Sequence, residues 1–298
     1  MKIGFIGVGA MGQPMALNLI AARYEVYVFD TQLEQAKKVG EKGAKVCQSC
    51  GELAAAADVI VSSLPNAAIV ESVYAGKNGV FESCRPGTVV VDMSSVAPST
   101  TKKMEKMAKE RGLEYVDAPV SGGVAGAQAG TLTIMVGAED AVFEKISPIL
   151  KVLGKNIYHV GTPGAGDAIK LVNNLLLGCN MAALAEALVL GVKCGLSPKT
   201  MHEIIKNSSG RSYALEAKME KFIMADAFDS GFAVDLQYKD LGLALEAARE
   251  TNVPLPITAA AIQVFEAARA KGLNRKDMSS VVKVWEELTG SKISGRTD

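Results

Sequence analysis

The chain has 298 residues and a mass of 31.2 kDa, long for one ordinary core and suited to two domains of ~100–200 residues each. Hydrophobic residues make up 49% of it and charged residues 21%, the balance of an ordinary globular protein. Lys plus Arg and Asp plus Glu cancel at 32 each, so no global field draws the chain to nucleic acid or to an anionic membrane, and neither is expected as a partner.

In chain order, residues 2–6, 25–29, 59–62, 88–92, 114–116 and 132–136 read as strands, with helical stretches at 15–22, 34–41 and 99–111. That alternation predicts a mostly parallel sheet with helices on both faces. The opening Met1-Lys2-Ile3-Gly4-Phe5-Ile6-Gly7 lacks a basic segment, apolar core and small-residue cleavage site, so no signal peptide is expected. With five scattered cysteines, this points to a reducing cytoplasm. Cys47 and Cys50 form a C-x-x-C pair, either a redox dithiol or a coincidence at a strand end; no second pair follows to make a zinc site.

The pattern changes at Gly161-Thr162-Pro163-Gly164-Ala165-Gly166, a Gly/Pro break. A long helix is expected over 167–194, then helices over 199–207, 214–223, 235–251, 256–271 and 278–288. The predicted division is an α/β domain over residues 1–163 and an all-α domain over 164–298, with the long helix at the junction. Its apolar part, 175–192, approaches membrane-spanning length but holds Asn180 and Glu186, so it reads as a buried helix of a soluble protein. The polar tail 291–298 is expected to be loose.

Gly7-Val8-Gly9-Ala10-Met11-Gly12 is a G-x-G-x-x-G turn that directly follows a strand and opens a helix. Gly7 permits the tight turn, Gly9 lets the backbone approach a pyrophosphate, and Gly12 allows close helix–strand packing. Eighteen residues after Gly12 the second strand ends in Asp30. A carboxylate there accepts from ribose hydroxyls and repels a 2′-phosphate, which Thr31 and Gln32 do nothing to offset, so NAD is expected over NADP.

Hydride transfer to or from a nicotinamide also needs a group that moves a proton and an anchor for the substrate's charge. The two histidines are poor candidates: His159 lies at a strand end beside the break and His202 on a surface-like helix. Lys170 and Asn174, four apart, share one face of the long helix among Ile169, Leu171, Val172 and 175–177. Lys170 either serves the chemistry, or caps nearby carbonyls or pairs with Asp167. Asp117-Ala118-Pro119-Val120-Ser121-Gly122-Gly123-Val124 follows a strand-like run, at the edge where open α/β sheets bind ligands. Its Ser121 hydroxyl and Gly122-Gly123 N–H groups either cradle a carboxylate or form an ordinary turn.

Together 5–12, 117–123, 164–174 and Lys239-Asp240-Leu241 resemble the β-hydroxyacid dehydrogenase (3-hydroxyisobutyrate dehydrogenase-like) family, over nearly the whole chain. The resemblance implies a Rossmann domain followed by an all-α domain joined by a long helix, a 6-phosphogluconate dehydrogenase-like architecture, usually in dimers or tetramers. By the same resemblance Lys170 is the catalytic lysine and Asn174 orients substrate or lysine. Ser121, Gly122 and Gly123 hold the substrate carboxylate, Lys239 approaches cofactor and active site, and Leu64, Pro65 and Ser95 contact NAD. A free lysine has a pKa of about 10.4; a dry site beside positive nicotinamide and Lys239 is expected to lower it. Where 6-phosphogluconate dehydrogenases add a His and a Glu after the lysine, this chain has Asn173 and Leu177, so oxidation without decarboxylation is expected.

Within the family, 208–224 and 175–181 look most like the 2-(hydroxymethyl)glutarate dehydrogenases. A dicarboxylate needs a second cation, for which Arg211 is the candidate; tethering its own loop is the other reading. Related monocarboxylate enzymes also carry Ser-Gly-Arg, so 3-hydroxyisobutyrate dehydrogenase and tartronate or succinic semialdehyde or glyoxylate reductase stay open. An NAD-binding regulatory protein without turnover has no need of Lys170, Asn174 and Gly122-Gly123, and imine reductases generally lack the lysine.

Overall fold

The buried runs β4 (Val59–Ser62) and β5 (Val89–Asp92) form the middle of a nine-stranded sheet. Every residue of both is buried, as strands covered by helices on two faces must be. The computed structural model describes residues 1–229 and 231–295, in two units, Met1–Lys170 and Leu171–Asp298.

The first unit begins with β1 (Lys2–Ile6), α1 (Gly12–Ala21), β2 (Glu25–Phe29), α2 (Leu33–Gly40), β3 (Lys45–Val46) and α3 (Cys50–Ala56). After β4 come α4 (Ala67–Ala75), α5 (Val80–Ser83), β5, α6 (Pro98–Lys109), β6 (Glu114–Asp117) and β7 (Val120–Ser121). It closes with α7 (Gly123–Ala129), β8 (Leu132–Gly137), α8 (Asp140–Leu153), β9 (Gly154–Gly161) and the start of α9 (Ala165–Lys193). The strand order is β3-β2-β1-β4-β5-β6-β8-β7, with β9 beside β8. From β3 to β6 all pairs are parallel; β8 runs antiparallel to β6 and β7 and parallel to β9. Chain order reverses between β2 and β4 across β1, which opens a crevice at their carboxyl ends. Because β1, β4, β5 and β6 are parallel, the segments after them all emerge on that one edge.

Two apolar layers cover the sheet. Phe5, Met15, Leu19, Val28, Ile134 and Leu150 belong to one, and Ile6, Leu53, Ile60, Tyr74, Phe81 and Met104 to the other. The strands read from the sequence are present within a residue of their expected ends. The short β3, α3, α4, α5, β7 and α7 are elements the sequence reading did not delimit, because fragments of two to nine residues carry too few periods to register; it also gave no range for the 14-residue α8 or for β9.

In the second unit α9 continues, followed by α10 (Pro198–Ile205), α11 (Tyr213–Lys218), a π-helical turn at Met219–Met224, α12 (Val234–Thr251), α13 (Pro256–Ala270), a 3₁₀ turn at Met278–Val281 and α14 (Val282–Thr289). The expected single helix over 214–223 is thus α only to Lys218 and π beyond it. The apolar stretch of α9 is core on one side only: Met181, Ala185 and Leu188 are buried, Leu176 and Leu190 exposed. The tail is not loose as far as it is described. Ile293 is buried, and the N–H groups of Ile293 and Ser294 donate to Glu286 at 2.7 and 2.6 Å. Positions 296–298 lie outside the described residues.

Candidate active site

The Gly-rich turn follows β1 into the crevice. Gly7 has φ +84°, and a Cβ on it would run into the Ser63 carbonyl; one on Gly12 would run into the Gly7 carbonyl. A Cβ on Gly9 would meet nothing within 4 Å, so that side of the turn is open to a ligand. Ala10 precedes Met11, the N-cap of α1, which supplies no side-chain cap, leaving the helix's first N–H groups for an anion. Asp30 follows β2, and its carboxylate accepts the N–H of Val8 at 2.9 Å and of Gln32 at 2.8 Å, locking the acidic group to the turn.

Leu64 and Pro65 follow β4, and Ser95 follows β5. The loops carrying them are tied by buried polar groups that the sequence reading passed over. Ser94 Oγ accepts the Leu64 N–H at 2.8 Å and donates to Asp92 at 2.5 Å. Asp92 also accepts from Ser62 Oγ at 2.7 Å and from the Tyr115 hydroxyl at 3.1 Å. Burial pushes the Asp92 carboxyl up, and the Ser94 and Ser62 donors oppose it. An open Gly-rich turn, an uncapped helix start and a fixed carboxylate fit a dinucleotide whose ribose hydroxyls are free.

Ser121 ends β7. Gly122, at φ +128°, caps α7, and a Cβ built on Gly123 meets nothing within 4 Å. The Gly123 side of the turn is open, while a Cβ on Gly122 would meet the Leu132 side chain at 3.3 Å. Lys170 and Asn174 lie one turn apart on α9 and are only 7% and 2% exposed. Asn174 is held on three sides. Its Nδ2 donates to Asp240 Oδ2 at 2.5 Å, its Oδ1 accepts from Asn173 Nδ2 at 2.9 Å, and its carbonyl accepts from Gln237 Nε2 at 2.9 Å. Lys239 Nζ stands 3.4 Å from Asp240 Oδ1. Asp240 and Gln237 were missed as site residues; their signal was the spacing 237, 240, 241, 244, which puts both on the buried face of α12.

Arg211 is exposed in the turn before α11, where its backbone N–H donates to Ser208 at 3.2 Å. His202 corrects the sequence reading: it is buried in α10, 3.5 Å from Glu220. Its helix packs Met201 and His202 inward, which one turn of sequence could not show. His159 sits in β9, stacked on Phe143, with Nε2 2.8 Å from the Ala138 carbonyl. Cys47 and Cys50 are free thiols, pushed up to about 11 by burial, so neither is a ready thiolate at neutral pH.

Residues 2–161 match the family model of the NAD binding domain of 6-phosphogluconate dehydrogenase. Residues 164–285 match that of the NAD-binding domain of NADP-dependent 3-hydroxyisobutyrate dehydrogenase. The chain is 66% identical over 294 residues to 2-(hydroxymethyl)glutarate dehydrogenase of Eubacterium barkeri, covering 99% of this chain and 98% of that one. It belongs to the 3-hydroxyisobutyrate dehydrogenase family. A probable mitochondrial 3-hydroxyisobutyrate dehydrogenase of Dictyostelium discoideum is 41% identical, covering 94% of this chain and 89% of its own. The solved Mycobacterium tuberculosis 3-hydroxyisobutyrate dehydrogenase with L-serine superposes with a TM-score of 0.89 at 33% identity, over 95% of this chain and 98% of that one. As a member of this family the protein is an NAD-dependent hydroxyacid dehydrogenase, with the Rossmann and all-α architecture expected from the motifs.

Proposed function

We propose that the enzyme interconverts 2-(hydroxymethyl)glutarate and 2-formylglutarate, with Lys170 as the residue that moves the proton. The observation that carries the chemistry is a lysine 7% exposed on α9, one turn before a fixed asparagine. The 66% identity to 2-(hydroxymethyl)glutarate dehydrogenase supports the substrate.

NAD, when bound, supplies the acceptor or donor of hydride at its nicotinamide. Lys170 takes the hydroxyl proton of the primary alcohol in oxidation and returns it to the carbonyl oxygen in reduction. Ser121 and the N–H groups of Gly122 and Gly123 hold the carboxylate next to the reacting carbon. Asp240 accepts from the Asn174 amide N–H₂ and Asn173 donates to the amide's Oδ1, which fixes its rotation; Asn174 so fixed orients lysine or substrate. Lys239, beside Asp240, adds positive charge for an anionic substrate. Arg211, exposed and planar, suits the second carboxylate. Gly7, Gly9, Ala10, Met11 and Gly12 take the pyrophosphate and Asp30 the ribose, favouring NAD over NADP, with Leu64, Pro65 and Ser95 lining the crevice. Asn173 and Leu177 offer no acid to protonate an enediol, which supports oxidation without loss of CO₂. The reading includes a soluble cytoplasmic homo-oligomer, dimer or tetramer, without nucleic-acid or membrane partners.

The test is NADH consumption with 2-formylglutarate, methylmalonate semialdehyde, tartronate semialdehyde, succinic semialdehyde and glyoxylate, and NAD reduction with L-serine. A clear kcat/KM preference for 2-formylglutarate is the expected result, and loss of that preference in Arg211→Met would assign the second carboxylate. A preference for a smaller substrate overturns the dicarboxylate assignment and keeps the lysine chemistry. Silence across the panel with intact NADH binding overturns both.

A further inference from the structure

The mechanism above leaves a pair of buried carboxylates unused, and they sit where the lysine helix begins. Asp117, the last residue of β6, is 1% exposed. Its Oδ1 accepts the Gly164 N–H at 2.8 Å and its Oδ2 accepts the Asp167 N–H at 2.7 Å. These are among the groups that the first turn of α9 cannot satisfy within the helix. A strand-end carboxylate therefore caps the helix that carries Lys170, with its charge at the positive end of the helix dipole.

The surroundings are cut to fit this carboxylate. A Cβ on Gly137 would run into Asp117 Oδ1, and one on Gly166 would meet Asp117 Oδ2 at 2.9 Å. Asp167, one turn before Lys170, is equally buried; its Oδ2 lies 2.6 Å from Thr101 Oγ1 of α6 and its Oδ1 accepts the Val96 N–H at 3.3 Å. Asp167 thereby ties the same helix start to the loop bearing Ser95. Four residues beyond Asp117 in the chain is Ser121, the first residue of the carboxylate cradle.

We infer that Asp117, assisted by Asp167, is a positioning residue: it sets the start of α9 against the end of β6, and so fixes Lys170 relative to the Ser121-Gly122-Gly123 cradle. The inference rests on the reading of Lys170 and that cradle as the reacting site. It assigns Asp117 no contact with substrate. Burial favours the protonated form of both acids, with Asp117 at about 6 and Asp167 held well above the usual carboxylate range. Both Asp117 oxygens accept a backbone N–H, an arrangement an amide at 117 cannot reproduce.

The experiment compares Asp117→Asn, Asp167→Ala and Lys170→Met in the full-length enzyme, with NADH and the best aldehyde of the panel. Asparagine at 117 turns an N–H₂ toward an N–H and displaces the helix start. The expected result is a fall in kcat of ~10–100-fold, the scale of an ångström-level misplacement. KM and the NADH dissociation constant, read by fluorescence, change by about twofold or less, and the deuterium isotope effect with deuterated NADH rises as hydride transfer becomes fully rate-limiting. A role in stability alone would lower the melting temperature and leave kcat of the folded enzyme intact. A kcat within about threefold of wild type in a folded Asp117→Asn, beside an inactive Lys170→Met, overturns this inference and spares the site reading. Should Asp117→Asn not fold, Asp167→Ala, which removes the ties to Thr101 and Val96, decides by the same criteria. Near-normal turnover in Lys170→Met overturns the site reading itself, and this inference with it.

Discussion

The two units differ in the partners their buried polar groups favour, although Asp92 and Asp167 also bind side chains and Asp277 also accepts backbone N–H groups. In the first, Asp30, Asp92, Asp117 and Asp167 all accept backbone N–H groups. They lie at strand ends and at a helix start, where the chain has left the sheet ladder or not yet closed its helical bonds, so N–H groups are to spare. In the second, helices consume their own backbone. Asn174 turns to Asp240, Asp240 to Lys239, and Lys218 to Asp277, side chain to side chain. Among the described residues the buried side-chain atoms left without a hydrogen bond, Gln237 Oε1, Asp240 Oδ1, Ser280 Oγ and Trp285 Nε1, all belong to the second unit. Asp240 Oδ1 keeps an ion pair with Lys239 that falls short of hydrogen-bond geometry. Backbone anchors make a firm frame, which under the proposed function would hold cofactor and carboxylate. Side-chain networks can be retuned one residue at a time.

The largest effect expected is on turnover. Lys170→Met should lower kcat by roughly 10²–10⁴-fold, the usual worth of a positioned proton carrier, with NADH binding preserved; a variant that turns over normally would remove the lysine from the chemistry.

Next comes the buried pair Lys218–Asp277, at 2.6 Å with side chains 8% and 0% exposed. Lys218→Met leaves Asp277 charged and unpaired, and should cost about 3–5 kcal/mol in denaturant unfolding. Adding Asp277→Leu should recover part of it, although Asp277 also accepts the Phe232 and Ser279 N–H groups at 2.9 and 3.0 Å. If the single and double variants are equally unstable, Asp277 is a backbone anchor of the first unit's kind and the contrast between the units fails there.

A smaller change is expected from Asp240→Asn, which removes the charge facing Asn174 and Lys239 while keeping the shape. Because one partner of a buried charge-assisted network is weakened rather than deleted, kcat/KM should fall by roughly 10-fold with the melting temperature nearly unchanged. An unaltered kcat/KM would show that Asn174 does not depend on Asp240 for its orientation.

The smallest effect is a pH dependence of stability. Burial raises Asp117 from 3.8 to about 6, against the pull of the Gly164 and Asp167 N–H groups. Its folded value exceeds its unfolded one, so the folded state holds the proton more tightly and the contribution is lost as pH rises through about 6. Wild type should therefore lose stability relative to Asp117→Asn between pH about 4 and 6. A stability difference that stays flat across that window would mean the carboxyl does not titrate there.

Much of this was written locally. The Gly-rich turn, Asp30, the Lys170–Asn174 spacing and the Gly122-Gly123 pair each lie within a few residues and beside an element of obvious period, so their place at a sheet edge or on one helix face follows from the chain alone. Asp92, Asp117, Asp167 and Asp240 were not legible as anchors, because each acts on a partner tens of residues away: Ser62, Gly164, Thr101 and Asn174. His202 was misplaced for the same reason, since a short helix shows which residues share a face but not which face is covered. By itself the sequence determined the α/β and then all-α order and the cofactor turn, and placed Lys170 and Asn174 on one face of the long helix. Folding alone decided which carboxylates are buried, which N–H groups they hold, and how Asn174 is turned, because hydrogen-bond partners and desolvation are properties of neighbours in space rather than neighbours in the chain.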